Sequence, residues 1–276
     1  MRLLGAPWAG GKPANPGYAS LGVFQRVLDI CPALEITHLR FNLGLEVKAM
    51  PDLGFLRKLV ALCASRGVGV FGVIGDIRTP TAYAQQVADV IASTLEEHGL
   101  DPAESGVIQV GCEHGFYGVG DLLRNAPRDQ EGIWPKDAIA NIVRLASGLK
   151  LRGMLLAAPS IEAERPETMA RELKSLAGLG PVGMKFDMVC MQCYKGRTQA
   201  WADALRWRQL ALRGSAVGAW STRIVITEMN QEGGGLSIEQ AKAAMDEVRG
   251  LGFDEVGWFS GWDKYAPHFS LLPVSA

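Results

Sequence analysis

The stretch Arg223 to Asn230 reads R-I-V-I-T-E-M-N. Its residues Ile224 to Thr227 are apolar or β-branched, which favours a buried strand. Glu228 follows at once, and a polar, glycine-rich run then extends to Gly235. Parallel α/β folds present catalytic groups in this way, at the carboxyl ends of their strands. An acid that merely caps a sheet edge would give the same local pattern, so the role of Glu228 depends on the rest of the chain.

Strand-like and helix-like segments alternate along the whole sequence, with a period of roughly 30 to 40 residues. Seven well-signalled helices lie between eight predicted strands, and no linker interrupts them. The pattern favours one α/β domain over residues 1–276, a closed (β/α)8 TIM barrel, over a doubly wound open sheet, because no glycine-rich phosphate fingerprint follows the first strand. The predicted strands are 3–8, 36–43, 68–74, 107–112, 154–158, 186–194, 224–227 and 255–260.

The segment after the last strand is short and contains Pro267 and Pro273. A full eighth helix does not fit after the last strand, so we expect that helix to be short or absent. The groove that it would cover must then be closed by a short turn, by the N-terminal segment or by another subunit. The last possibility implies a homo-oligomer.

The composition excludes several classes of partner. Hydrophobic residues make up 48% and charged residues 21% of the 276 residues, and the formal net charge is −1. Neither nucleic acid nor a membrane is expected as a partner. The N-terminus lacks an apolar signal region, so we expect a cytoplasmic protein, with release by lysis or another route left open.

The cysteines and histidines do not indicate a metal or redox site. Five scattered cysteines fit a reducing compartment. The C-x-x-C of Cys190 and Cys193 lies in a predicted strand, where a spacing of three puts the two thiols on opposite faces. The four histidines include no H-x-H pair, so we expect no metal and no cofactor.

Two carboxylates stand at the ends of predicted strands 4 and 7, Glu113 and Glu228. Strict alternation predicts that Ile224, Ile226 and Glu228 share one face of strand 7. On strand 4, Gln109 and Gly111 share the face of Glu113. Other polar or aromatic groups at strand ends are candidates for substrate binding: Arg40, Asp76, His114, Gln192, Tyr194, Trp258 and Trp262.

Two facing carboxyl groups beside tryptophans suit the hydrolysis of glycosidic bonds. One carboxyl protonates the leaving oxygen, while the other attacks or activates water at an oxocarbenium-like centre. A tryptophan offers the apolar platform on which a sugar ring stacks. Core packing would explain Trp258 or Trp262 equally well.

The ordered motifs resemble those of the clan A retaining glycoside hydrolases, the 4/7 superfamily. I-V-I-T-E at 224–228 is similar to the clan's strand 7, and V-I-Q-V-G-C-E at 107–113 resembles its strand 4. The arginine of H-L-R-F at 38–41 matches the clan's strand-2 arginine. Q-C-Y at 192–194 takes the place of a His-x-Tyr on strand 6, and W-F-S-G-W at 258–262 resembles an aromatic strand-8 end.

The resemblance implies a double displacement, with Glu228 as the nucleophile and Glu113 as the acid/base. Arg40 would bond Glu228 and keep it ionised, and the carboxyl groups would stand about 5 to 5.5 Å apart. Two residues depart from the clan's pattern: Cys112 stands where Asn is usual, and Gln192 where His is usual. A non-catalytic carbohydrate-binding or interaction protein on a diverged barrel therefore stays the alternative.

Overall fold

A computed structural model gives the fold. It describes residues 1–6, 20–43, 52–74, 79–111, 132–162, 166–193, 199–219, 223–229, 235–253, 255–258, 261 and 270–272.

Eight parallel strands form a closed barrel in chain order, and β1 pairs with both β2 and β8. This arrangement confirms the (β/α)8 fold predicted from the alternating pattern. The strands are β1 (Arg2–Gly5), β2 (His38–Asn42), β3 (Gly69–Ile74), β4 (Gly106–Val110), β5 (Leu155–Glu162), β6 (Met188–Cys193), β7 (Ile224–Met229) and β8 (Glu255–Trp258).

Helices lie between the strands and cover the outside of the barrel. Asp52 caps α2 through its side chain, and Ser237 forms a capping box with Gln240 at the start of α8. The helices are α1 (Leu21–Leu34), α2 (Leu53–Ala64), α3 (Thr81–Glu97), the short α4 (Pro102–Ser105), α5 (Lys136–Gly148), α6 (Pro166–Ala177), α7 (Gln199–Arg213) and α8 (Ile238–Gly250).

Alternation along the strands divides the apolar side chains into two clusters. The smaller cluster fills the barrel and includes Leu3, Phe71, Val107, Cys190 and Val225. The larger one packs the outer face of the strands against the helices. Cys193 belongs to that outer cluster, so the two thiols of the C-x-x-C lie on opposite faces of β6, as predicted.

Strand β5 is longer than its sequence pattern indicates. Pro159 and Ser160 were expected to end it, but β5 continues to Glu162. The pairing with β6 shifts register between Ala157 and Ser160, and a bulge of this kind accommodates a proline within a strand. The extension makes Ser160 part of strand β5.

The junction between β8 and β1 is closed by helices α1 and α8, which contact each other directly. Arg2 lies at their base and pairs with Asp246 and with Glu35, while Lys242 Nζ is 2.8 Å from Glu35 Oε1. Leu271 and Leu272 pack against the outer cluster from the chain's end. The sequence predicted that the helix after β8, which is not the α8 defined above, is short or absent. Most residues after β8 lie outside the described ranges.

Within the ranges given above, no helix is long and apolar enough to span a membrane.

Candidate active site

A buried ion pair stands at the carboxyl end of β7. Glu228 is 4% exposed, and Arg40 of β2 is 3% exposed. Arg40 donates from Nη1 to Glu228 Oε1 across the barrel interior. A charge at this depth is costly unless it is paired and hydrogen-bonded, so the arginine accounts for a carboxylate inside the barrel. The structure therefore brings together the two residues that the sequence placed at these strand ends.

The face of β7 that carries Glu228 differs from the prediction. Ile224 and Ile226 belong to the outer cluster, and Val225 lies in the barrel cluster. Strict alternation would then turn Glu228 outward, towards the helices. The pairing with β6 instead shifts register, since Met191 is opposite Ile226 and Gln192 is opposite Glu228.

This bulge places both Thr227 and Glu228 on the inside of the barrel. The contact of Thr227 with Ser160 and that of Glu228 with Arg40 both lie there. The prediction that Ile224, Ile226 and Glu228 share a face was wrong, because a bulge shifts every residue beyond it by one position.

The second edge of the Arg40 guanidinium is held by Gln109 of β4. Gln109 Oε1 accepts from Arg40 Nε at 3.3 Å and from Nη2 at 3.2 Å. Its Nε2 donates to Ser160 Oγ at 2.7 Å, and Ser160 Oγ is 2.9 Å from Thr227 Oγ1. Thr227 Oγ1 in turn donates to the Met191 carbonyl at 3.4 Å. Arg40 is therefore fixed on both of its hydrogen-bonding edges.

Gln192 and Asn42 flank this pair. Gln192 is 1% exposed and lies directly opposite Glu228 in the register of β6 and β7. Asn42 ends β2 two residues beyond Arg40, and its Oδ1 is buried without a hydrogen-bond partner among the described residues. Amide groups of this kind, at the carboxyl end of a barrel, suit hydrogen bonds to sugar hydroxyls.

Trp258 does not occupy the position of a sugar platform. It is 1% exposed and belongs to the outer cluster. Its strand partner Leu4 belongs to the same cluster. Of the two roles left open for Trp258, contact with substrate and core packing, the structure therefore supports core packing.

Five predicted site residues lie outside the described ranges: Glu113, His114, Asp76, Tyr194 and Trp262. The last described residue before Glu113 is Gly111, whose φ is 92°. Residues other than glycine rarely adopt this left-handed backbone conformation. Its amide still bonds to the Ile74 carbonyl at 2.8 Å, so the chain leaves β4 at a position where glycine is required.

The amino-terminal end of the barrel holds a second charged group. Arg223 pairs with Glu255 at the start of β8, and His38 lies buried nearby. Burial lowers the pKa of His38 from 6.5 to about 4. The Nε2 of His38 lies 3.1 Å from the Glu104 carbonyl and its Nδ1 lies 3.0 Å from Thr37 Oγ1. The Glu104 carbonyl can only accept, so Nε2 of His38 carries a proton and donates it there. These groups lie at the end of the barrel opposite Glu228.

No cluster of three or more His, Cys, Asp or Glu side chains that could hold a metal ion occurs in the described part of the chain.

Gln109, Ser160 and Thr227 are site residues that the sequence interpretation did not select. Gln109 had a usable signal, since alternation already placed it on the face of Glu113. Ser160 was missed because Pro159 was taken as the end of β5. Thr227 was assigned to the face opposite Glu228, and only the register shift brings both residues inside.

This chain is similar to known proteins in its structure. No protein-family model matches it, and no curated protein sequence matches it. A fungal β-1,4-galactanase is 10% identical with a TM-score of 0.56, over 94% of this chain and 90% of that one.

Two further solved structures are similar to the chain. The GH26 β-mannanase BoMan26A from Bacteroides ovatus is 13% identical with a TM-score of 0.52, over 99% and 84% of the two chains. A GH128 endo-β-1,3-glucanase from Lentinula edodes is 15% identical with a TM-score of 0.50, over 94% and 83%. The chain therefore has a (β/α)8 barrel like those of these glycoside hydrolases.

Proposed function

We propose that this protein is a glycoside hydrolase that cleaves O-glycosidic bonds of an oligo- or polysaccharide with retention of anomeric configuration. Glu228 is the nucleophile and Glu113 the general acid and base. The similar structures are named for activity on β-linked galactan, mannan and glucan. Polymers of β-linked hexoses are therefore the first substrates to test.

The observation that carries the proposal is the buried pair of Glu228 and Arg40. The position of Glu228, at the carboxyl end of β7 and inside the barrel, is where (β/α)8 enzymes place reacting groups. The guanidinium is charged at every working pH, so it supplies a fixed positive charge beside the carboxylate. It also donates a hydrogen bond to one carboxylate oxygen, Oε1, which orients the carboxylate inside the barrel.

The proposed reaction has two steps. In the first, a Glu228 oxygen attacks the anomeric carbon while Glu113 donates its proton to the departing glycosidic oxygen. A covalent glycosyl ester forms on Glu228 as the bond to the leaving group breaks. In the second, Glu113 takes a proton from water, the water oxygen attacks the same carbon, and Glu228 is released as a carboxylate.

The test is an activity screen of the wild type beside Glu113→Gln and Glu228→Gln, on aryl glycosides and on β-glucan, β-mannan and β-galactan. Both variants should lose at least about a thousandfold in kcat/KM, because each removes a group that reacts in the transition state. Glu255→Gln is the matched control, since it also removes a carboxylate paired with arginine but at the opposite end of the barrel. It should remain active.

Activity that survives in Glu228→Gln would contradict the proposed nucleophile. A wild type that binds these polysaccharides without hydrolysing any glycoside would favour the non-catalytic alternative, which the Cys112 departure keeps open.

A further inference from the structure

We propose that Gln109, Ser160 and Thr227 are positioning residues for Glu228. They fix the Arg40 guanidinium and the bulge of β7 through a chain of hydrogen bonds that runs in one direction. This inference rests on the proposed role of Glu228 as the reacting carboxylate.

The direction of the chain follows from the donors and acceptors available. Arg40 only donates, so Gln109 Oε1 must accept from it. The amide nitrogen of Gln109 then donates to Ser160 Oγ. Thr227 gives its own proton to the Met191 carbonyl, so the proton between the two hydroxyls comes from Ser160. Every link therefore has one donor and one acceptor, from the cation to the backbone of β6.

The two ends of this chain determine the position of Glu228. One end is the guanidinium that donates to its carboxylate. The other end is the point where β6 and β7 change register, between Met191 and Gln192. Thr227 holds that point through its hydroxyl, and its peptide bond leads directly to Glu228. The path from Arg40 through Gln109, Ser160 and Thr227 thus returns to the same carboxylate.

An amide at position 109 suits this role because it is neutral and has both a donor and an acceptor. A carboxylate there would compete with Glu228 for the single positive charge of Arg40. It would also accept from Ser160 instead of donating to it, which would reverse the chain and leave the Met191 carbonyl without its donor. Gln109, Ser160 and Thr227 are at most 1% exposed, so loss of a partner leaves a buried polar group, which is costly.

The first test measures stability and needs no substrate. Gln109→Met keeps the length of the side chain and removes both polar groups. It is combined with Glu228→Gln and, as a control pair, with Glu255→Gln at the other end of the barrel. Gln109 and Glu228 act on the same guanidinium, so their combined decrease in Tm should fall short of the sum by at least about 2 °C. The decreases from Gln109→Met and Glu255→Gln should add. Additive decreases in both pairs would overturn the proposal.

The second test separates positioning from folding. Gln109→Met and Thr227→Val should lower kcat about tenfold to a hundredfold while KM changes less than about threefold, because a displaced nucleophile slows the chemical step more than binding. Unchanged kcat in both folded variants would overturn the proposal. Ser160→Ala, which removes the acceptor of Gln109 Nε2 and the donor to Thr227 Oγ1, replaces Gln109→Met if that variant does not fold.

Failure of the proposed function would look different. A wild type that hydrolyses no glycoside, with coupled Tm values for Gln109 and Glu228, would refute the glycosidase and support the positioning chain. Loss of activity in Glu228→Gln, together with additive Tm decreases for Gln109→Met and Glu228→Gln and a normal kcat in Gln109→Met, would support the glycosidase and refute the positioning chain.

Discussion

His38 should make the stability of the barrel depend on pH in a defined window. The ring is 7% exposed at the start of β2. Burial lowers its pKa to about 4, and the Glu104 carbonyl, which bonds to Nε2, opposes that effect only in part. The charges of Arg223 and Glu255 lie near the ring and act in opposite directions. A proton on His38 is therefore much less favourable in the folded chain than in the unfolded one.

The sign and the size of the effect follow from these two states. In the unfolded chain His38 takes up a proton as the pH falls through 6.5, while the folded chain keeps the ring neutral down to about pH 4. The unfolded state thus binds more protons, and stability present above pH 6.5 is lost progressively as the pH falls towards 4. Between pH 7.5 and pH 4.5 the loss from this residue is about 2.5 kcal/mol.

The assay is urea unfolding of the wild type and His38→Gln at several values between pH 7.5 and pH 4.5. The glutamine amide is chosen to donate to the Glu104 carbonyl without titrating. With an m-value of about 3 kcal/mol/M, the midpoint of the wild type should fall by about 0.8 M more than that of the variant. Parallel profiles for the two proteins across this range would refute a buried, neutral His38.

Two further predictions concern the site and the strands behind it. Arg40→Met should lower the free energy of unfolding by about 3 to 5 kcal/mol, because Glu228 stays buried without its cation. The double variant Arg40→Met with Glu228→Met should recover most of that loss in urea unfolding. Equal losses in the single and double variants would contradict this prediction. Gly257→Ala should cost about 2 kcal/mol or more, because its Cβ would lie 2.6 Å from the Thr227 carbonyl oxygen. Gly250→Ala in α8 is the control for this substitution, since nothing lies within 4 Å of a Cβ added at Gly250. The Gly250→Ala variant should be slightly more stable than the wild type.

The order of the elements could be predicted from the sequence because each one carries its own local signal. Period-two and helical patterns, together with the capping box at Ser237, depend only on neighbouring residues. A parallel barrel brings all its strand ends to one face, and the resemblance to the clan A glycoside hydrolases implied the pairing of the carboxylate on β7 with the arginine on β2. Glu228 and Arg40 could therefore be placed together before any coordinates were known.

The details of the site could not be predicted because they depend on how strands pair. A bulge leaves no pattern in the bulged strand itself, so strict alternation put Thr227 and Glu228 on opposite faces. Pro159 looked like a strand end, since proline usually lacks a place in a central strand. The position of Trp258 along β8 fitted a sugar platform and core packing equally well, and only the outward direction of its side chain shows that it packs in the core.

The most direct test of the central claim is covalent trapping of Glu228. The wild type is incubated with 2-deoxy-2-fluoro aryl glycosides of the gluco, manno and galacto series. These compounds slow release of the sugar from a retaining enzyme, and the labelled peptide is sequenced by mass spectrometry. A glycosyl ester on Glu228, absent from Glu228→Gln, is the predicted result. A label on another residue, or inverted configuration of the product of an active enzyme, would contradict the account.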